Sequence, residues 1–149
     1  MTHFDRITTE TWTVAFPSDW TDQAQEDGTL YFESPEGDKG FYVALWNMSE
    51  AETRTPIELV ESFQKTELSS FFPEDEDWQI LQKKVLDQNP PLGYWEGFSE
   101  ERNYRISGKQ LAAGHLVLRA TFHDYDCKNA QVSAELFAPI VDSLELIEA

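Results

Sequence analysis

Alternating apolar and polar residues predict an extended strand near the start of the chain. Between Thr11 and Phe16, the residues Trp12, Val14 and Phe16 point to one side, while threonine and alanine point to the other. A repeat of two is typical of a strand with one buried face. Pro17 is expected to end this strand because proline has no N–H to donate to a neighbour.

Two further strands are predicted before residue 50. After a polar loop that ends at Gly28, the extended pattern returns in residues 29–34. Residues 35–40 are rich in the residue types that form turns. The continuous apolar run at 41–46 is typical of a central strand that is covered on both faces. We expect Trp20 to fold back over the strand ends.

The hydrophobic period then changes to that of a helix. Thr55 fits the N-cap, Pro56 the first helical position, and Glu58 the third position of a capping box. Pro73 disfavours helical geometry in the residue before it, so we expect the helix to end near Phe72. The apolar residues within or beside one helical arc are Ile57, Leu59, Val60, Phe63, Leu68 and Phe71.

Four more strands and a second helix are predicted in the rest of the chain. The strands correspond to residues 78–88, 93–101, 103–111 and 114–124. In the last strand Leu116, Leu118, Ala120 and Phe122 share one face, and Val117, Arg119, Thr121 and His123 share the other. The C-terminal segment is amphipathic, and Pro139 is expected either to kink its helix or to begin a second one. Its expected core residues are Val132, Leu136, Phe137, Ile140, Val141 and Leu144.

This order of elements predicts an α+β fold. The short connections favour a mostly antiparallel sheet of about six or seven strands, with one helix after the third strand and a C-terminal helix. Helices on both faces would make an α/β/α sandwich. A length of 149 residues fits one domain that spans residues 1–149.

Charge narrows the possible partners. Eleven basic and 28 acidic residues give a net charge of −17. Nucleic acids and anionic membranes are disfavoured because their binding relies on Lys and Arg. A basic protein is the natural complement, although the acidity also fits simple solubility. The first residues lack the features of a signal peptide, no apolar stretch is long enough to span a membrane, and the lone Cys127 fits a reducing compartment. We therefore expect a cytoplasmic protein.

A cluster of chemically active residue types lies at the end of the last predicted strand. It consists of His123, Asp124, Asp126 and Cys127, which leaves a small-ligand or metal site open as an alternative. Strand alternation divides the set between two faces, and Asp126 more simply caps the following helix. Signatures of nucleophilic serine, phosphate-binding and calcium-binding sites are absent from the sequence. The chain is expected not to be an enzyme and to need no metal or other cofactor.

Aromatic and acidic residues are the candidates for partner contact. Tyr94 and Trp95 begin a strand after two prolines, and exposed aromatic rings are common anchors of binding surfaces. Two acidic segments lie next to aromatic residues and favour a basic partner, although acidic loops are also often merely solvated. The candidate acidic contacts are Glu74, Asp75, Glu76, Asp77, Glu100 and Glu101.

Several segments resemble the PsbP/Mog-like fold superfamily. The beginning, FPSDW followed by LYFESPEGDKGFYVALW and TPIELVESF, is similar to the opening of that fold. The stretch GHLVLRATFHDYD and the ending FAPIVDSLEL resemble its last strand and C-terminal helix. The superfamily includes photosystem accessory proteins, a Ran-binding protein, DcrB-like proteins and Eag-type chaperones of type VI secretion effectors. The resemblance implies a partner-binding domain without catalysis, and no binding residue carries over.

The predicted function is that of a cytoplasmic accessory protein for a secreted bacterial effector or toxin. As a chaperone or adaptor, it would need an apolar face that captures its partner regardless of salt. As an immunity protein, it would contact a basic toxin through its acids, and salt would slow the association. The partner is thus expected to be another protein, either basic or with an exposed apolar segment. Association of two copies of this chain as a homodimer is left as a further possibility.

Overall fold

The computed structural model describes residues 3–23 and 29–147, and this part of the chain contains ten strands and two helices. The strands are β1 Phe4–Thr8, β2 Trp12–Pro17, β3 Thr21–Asp22, β4 Leu30–Glu33, β5 Lys39–Asn47, β6 Gln79–Leu86, β7 Leu92–Ser99, β8 Tyr104–Ala113, β9 Leu116–Asp124 and β10 Glu145–Leu146. The helices are α1 Pro56–Phe71 and α2 Ala130–Ser143. The predicted end of the polar loop at Gly28 lies outside the described residues.

Seven strands form an antiparallel sheet in the order β3-β4-β5-β9-β8-β7-β6. Helix α1 packs against β7, β8 and β9, and α2 packs against β2, β8 and β9. The two helices cover opposite faces, because Val117 of β9 packs with α1 residues while Leu118 packs with α2 residues. The α+β prediction with one helix on each side is confirmed. No helix in residues 3–23 and 29–147 is long and apolar enough to cross a membrane.

The larger core lies between the sheet, α2 and β2. Trp12, Val14 and Phe16 of β2 are buried together, as the alternation predicted. Trp20 is also buried, with its ring 6.0 Å from those of Phe41 and Phe137. Trp20 therefore folds back into this core, against β5 and α2.

Helix α1 begins and ends where the sequence predicts. The Thr55 hydroxyl accepts from the Glu58 N–H, and the Glu58 carboxylate accepts from the Thr55 N–H at 3.0 Å. Phe72 is the C-cap. The most buried residues of α1 include two polar ones, Gln64 and Glu67, which the apolar pattern did not select.

A second, small sheet was not predicted. It has the order β1-β2-β10 and brings both ends of the described chain to the two edges of β2. Strand β1 escaped prediction because its sequence FDRIT has no regular alternation and most of its residues are exposed. Strand β10 has two residues, too few to show a period.

Two expectations about α2 are wrong. Val132 and Leu136 were expected in the core, but they are 60% and 44% exposed. Asp126 does not cap the helix. The cap is Asn129, whose side chain accepts from the Val132 N–H at 3.0 Å. The face of α2 that packs on the sheet and β2 is a narrow one made of Ser133, Phe137, Ile140 and Val141. The helix also continues through Pro139 to its end at Ser143.

The expectation that β5 is covered on both faces holds for only part of the strand. Phe41 and Val43 are buried, but Leu45 and Trp46 are exposed. Trp46 points to the α1 face, where α1 packs mainly over β7, β8 and β9, and Leu45 points to the opposite face. An open, partly aromatic surface results beside the helix.

Candidate functional site

A groove lies between α1 and the uncovered end of β5. Its volume is about 450 Å³, within the usual range for a ligand site. Aromatic side chains form much of its wall, and one ion pair lies at its base. The lining residues are Trp46, Ser62, Phe63, Thr66, Glu67, Ser70, Phe71 and Arg119.

The strand register explains the hollow. Trp46 pairs with Val117, and Ala44 pairs with Arg119, so these residues share the face that carries α1. Between the larger side chains of Tyr42 and Trp46, Ala44 contributes only a methyl group. The Trp46 ring meets that of Phe63 edge to face, with 6.0 Å between centroids, and still remains 51% exposed.

Glu67 joins the groove to the buried sheet. Its Oε1 accepts from Trp95 Nε1 at 3.0 Å and from Gln110 Nε2 at 2.9 Å, and its Oε2 accepts from Arg119 Nε at 2.8 Å. Burial raises the pKa of Glu67, while these donors and the Arg119 charge act in the opposite direction. Because Trp95 and Gln110 hold Glu67 in place, the bond from Arg119 to Glu67 also fixes the orientation of the Arg119 side chain.

Arg119 is the cation of the groove. Its side chain is 23% exposed, whereas that of Glu67 is buried. Within residues 3–23 and 29–147, the guanidinium group of Arg119 donates a hydrogen bond only through Nε. Its two terminal amino groups are therefore available to an occupant of the groove.

An aromatic cluster continues the same face beyond Phe71. His123 Nδ1 lies 2.5 Å from the Tyr104 hydroxyl, and Nε2 lies 2.9 Å from the Thr121 hydroxyl. The Tyr125 ring stacks on His123 at 5.5 Å. Burial, with a smaller contribution from the positive charge of Arg119, lowers the pKa of His123 to about 4. His123 is therefore neutral at pH 7, and both of its ring nitrogens already have hydrogen-bond partners.

The predicted cluster at residues 123–127 does not converge on one point. Asp124 accepts from the Asp126 N–H at 3.2 Å and lies 3.7 Å from the Lys39 ammonium. Cys127 is buried, and burial raises the pKa of its thiol. In the described part of the chain, no three His, Cys, Asp or Glu side chains are grouped to hold a metal ion. The structure thus gives no support to the alternative metal site.

The two predicted acidic segments come together at one end of the sheet. Arg102, in the same turn as Glu100 and Glu101, lies 3.5 Å from Glu76 and over the Trp78 ring. The loop with Glu76 follows directly on α1, so it lies past the Phe71 end of the groove. Every residue of the predicted acidic set is exposed: Glu74, Asp75, Glu76, Asp77, Glu100 and Glu101.

Tyr94 and Trp95 point to opposite faces, as predicted, but Trp95 is fully buried. Its ring covers Gly108 so closely that a Cβ there would lie 2.4 Å from the indole. Trp95 is therefore not an exposed anchor. Tyr94 lies on the α2 side and is partly buried, with Lys84 5.8 Å from its ring centroid. Trp46 has the exposure that was expected of Trp95, and its place in an apolar run concealed this from sequence reasoning.

A second buried ion pair lies on the α2 side. Arg105 Nη2 donates to Glu96 Oε2 at 2.6 Å, and Nη1 lies 3.5 Å from the Ser133 hydroxyl of α2. Nearby, the Lys109 ammonium donates to the carbonyl oxygens of Val141 and Leu144 at 2.7 and 2.9 Å. These bonds add a buried donor at the end of α2, where the Val141 carbonyl also accepts from the Leu144 N–H at 3.3 Å. The cations on this side therefore hold the structure together.

The sheet order, the two helices and the N-terminal hairpin define a PsbP-like fold. The chain is similar to cyanobacterial PsbP (CyanoP) from Synechocystis sp. PCC 6803, with a TM-score of 0.69 and 12% identity. That match covers 99% of this chain and 94% of the other. A protein of Bacteroides thetaiotaomicron VPI-5482 matches with a TM-score of 0.53 and 12% identity, over 92% of this chain and 45% of that one.

These likenesses establish the fold alone, because the identity of 12% is too low to carry function. No protein-family model matches the chain, and no curated protein sequence matches it. The predicted PsbP-like resemblance is confirmed. Its finer assignment to DcrB-like proteins or Eag-type chaperones stays a prediction.

Proposed function

We propose that this protein is a non-enzymatic binding domain that receives an apolar side chain of a partner protein in the groove beside α1. The observation that carries this proposal is the exposure of Trp46, 51%, at a groove of about 450 Å³. Large aromatic side chains that remain accessible beside a pocket are typical anchors of protein interfaces.

The shape and chemistry of the groove support an apolar occupant. Phe63 and Trp46 form one part of its wall, and Phe71 forms another. Three other α1 residues that line the groove are small and polar, namely Ser62, Thr66 and Ser70. A side chain that enters between the rings would lose its own hydration and bury part of Trp46, which is favourable in proportion to the apolar area removed from water.

The charge of the protein supports a basic partner. The net charge is −17, and the two exposed acidic segments lie together past the Phe71 end of the groove. A field of one sign speeds the encounter with a partner of the opposite sign and repels competitors. The apolar groove would supply affinity, and the acidic surface would supply selectivity.

Two roles fit this proposal, both as an accessory to a secreted bacterial effector or toxin in the cytoplasm. A chaperone or adaptor would rely on the groove, and its complex would tolerate salt. An immunity protein would rely on the acidic end, and its association would slow as salt screens the charges. The accessible Trp46 favours the first role, and the meeting of the acidic segments favours the second.

The test is affinity capture from the source organism with wild type and two variants. Trp46→Ser removes the exposed ring in the groove. Leu86→Ser removes an exposed apolar residue from β6, at the far edge of the sheet, and serves as the matched control. We expect a protein that wild type and Leu86→Ser capture and Trp46→Ser loses. The purified partner is then rebound at about 50 and about 500 mM NaCl, which separates the two roles. Capture that is indifferent to Trp46→Ser would refute the proposal.

A further inference from the structure

The groove contains a feature that an apolar anchor alone does not use, the available end of the Arg119 guanidinium. We infer that the occupant is the C-terminal residue of the partner chain, with its side chain between the aromatic rings and its terminal carboxylate on Arg119. This inference rests on the proposed function and specifies which part of the partner is recognised.

The geometry of Arg119 suits a carboxylate. Its Nε is used by Glu67 at 2.8 Å, and its terminal amino groups donate to no other residue in the part of the chain that the structure describes. Guanidinium groups bind carboxylates through two parallel N–H···O bonds, which orient the ligand as well as hold it. Because Glu67 is itself held by Trp95 and Gln110, the guanidinium is fixed in advance.

Glu67 also limits how the groove attracts its ligand. The charges of Glu67 and Arg119 offset one another, so the pair has little net charge. Attraction of a carboxylate therefore depends on the directed N–H groups of Arg119 at short range. The groove is therefore expected to recognise a carboxylate by the geometry of its hydrogen bonds to Arg119. Negative charge elsewhere on the ligand should not increase its affinity for the groove.

The acidity of the protein indicates which carboxylate enters. A segment rich in Asp or Glu is repelled by a chain with 28 acidic and only 11 basic residues. A basic segment is attracted, and when it ends the partner chain it still carries one carboxylate, at its C-terminus. That carboxylate is attached to the same Cα as the last side chain. Anchor and charge therefore fit together in a groove of about 450 Å³.

The test uses three synthetic peptides based on acetyl-Gly-Lys-Gly-Lys-Gly-Phe. The first has this sequence with a free C-terminal carboxylate, and the second has the same sequence with a C-terminal amide. The third has the C-terminal amide and an aspartate in place of the last glycine. Binding is measured by calorimetry and by the shift of the Trp46 indole signal in NMR spectra. We expect the free acid to bind at least about tenfold more tightly than either amide.

Three variants test whether binding uses the groove. Ser70→Trp fills the groove from α1, and Ser69→Trp adds the same ring at the adjacent exposed position outside it. The free acid is expected to lose binding to Ser70→Trp and to keep it with Ser69→Trp. Arg119→Lys keeps the charge and loses the planar pair of donors, so the preference for acid over amide should shrink to about threefold or less. Circular dichroism confirms that each variant is folded.

The outcomes separate this inference from the proposed function. If acid and amide bind equally and Ser70→Trp abolishes both, the C-terminal inference is wrong and the apolar groove stands. If the aspartate-containing amide matches the free acid, the carboxylate comes from a side chain and the inference is also wrong. Absence of binding by all three peptides rejects the inference, while capture with Trp46→Ser decides the proposed function. Binding that survives Ser70→Trp counts against both.

Discussion

The two faces of the main sheet each hold an Arg–Glu pair beneath a helix, but the pairs have opposite orientations. On the α2 side, the Arg105 side chain is 1% exposed, and Glu96 is nearer to solvent. On the α1 side, Glu67 is buried, and the Arg119 side chain is 23% exposed in the groove. The same ion-pair chemistry therefore encloses a cation on one face and presents a cation on the other.

The surroundings of each pair explain the difference. Arg105 is enclosed because Tyr94 and Ser133 also lie within hydrogen-bond distance of its guanidinium. Arg119 is partly accessible because α1 packs mainly over β7 and β8, which leaves the groove between α1 and Trp46 open to it. Burial of an ion pair is costly and by itself weak evidence of a stabilising role. The arrangement is informative in another way, because only the α1 pair leaves donor groups toward a space that a ligand can fill.

The largest expected effect comes from removal of the enclosed cation. Arg105→Met should lower the free energy of unfolding by about 3–5 kcal/mol, because Glu96 loses its buried partner. Arg119→Met should cost about 1–2 kcal/mol, since Glu67 keeps the Trp95 and Gln110 donors. Urea denaturation at pH 7 measures both. Equal losses would contradict the comparison.

A smaller loss is expected for the other cation on the α2 side. Lys109→Met should lower the free energy of unfolding by about 1–3 kcal/mol, because the Leu144 carbonyl loses the Lys109 donor and the Val141 carbonyl keeps only the Leu144 N–H. The control is Lys84→Met on exposed β6, with an expected change of less than about 0.5 kcal/mol. Urea denaturation again gives the values. A neutral Lys109→Met would show that the end of α2 does not depend on this lysine.

The pH dependence of stability should separate two glutamates of α1. Burial raises the pKa of Glu67 above its ordinary 4.5, so the folded state holds the proton more tightly than the unfolded state. This contribution to stability is present below pH 4.5 and is lost as the pH rises through the folded pKa. Wild type should therefore lose stability relative to Glu67→Gln across that interval, as measured by urea denaturation at a series of pH values.

Glu58 is the control with the opposite sign. Its carboxylate accepts from the Thr55 N–H and hydroxyl, which lowers its pKa. Its contribution is present above pH 4.5 and disappears as the pH falls through the folded pKa. A stability difference between wild type and Glu67→Gln that does not vary with pH would mean that burial leaves the Glu67 carboxyl unaffected.

The smallest effect on stability is expected in the groove itself. Trp46→Ser should change the free energy of unfolding by less than about 0.5 kcal/mol, because this exposed ring contributes little to the core. The same substitution should abolish capture of the partner. Denaturation and capture with one protein preparation measure both effects. A large loss of stability would mean that Trp46 is a structural residue, and the groove would lose its main support as a binding site.

Local signals predicted the elements better than the site. The capping box of Thr55 and Glu58 lies within four consecutive residues, so the start of α1 could be predicted from the sequence. The alternation around Trp95 correctly gave opposite faces to it and Tyr94. It did not show that α1 would cover Trp95, since that depends on residues far away in the chain. Exposure of Trp46 was missed for the same reason.

The ion pairs were also beyond sequence reasoning. Glu67 and Arg119 are separated by many residues, and their pairing depends on how α1 crosses β9. The meeting of the two acidic segments was not foreseen either, because it depends on the pairing of β6 with β7 and on Arg102. Patterns along the chain reveal which face a residue occupies, and packing alone reveals what lies opposite that face.

The position of β2 between β1 and β10 has a consequence for synthesis on the ribosome. The β1–β2 hairpin uses neighbouring residues and can form early, but the other edge of β2 waits for Leu146, which pairs with Trp12. Ser143 must also arrive before it can bond to Ala15 at 2.8 Å. In the nascent chain, one edge of β2 therefore stays unpaired until translation has reached these late residues. During this period chaperone binding and aggregation compete for the exposed strand.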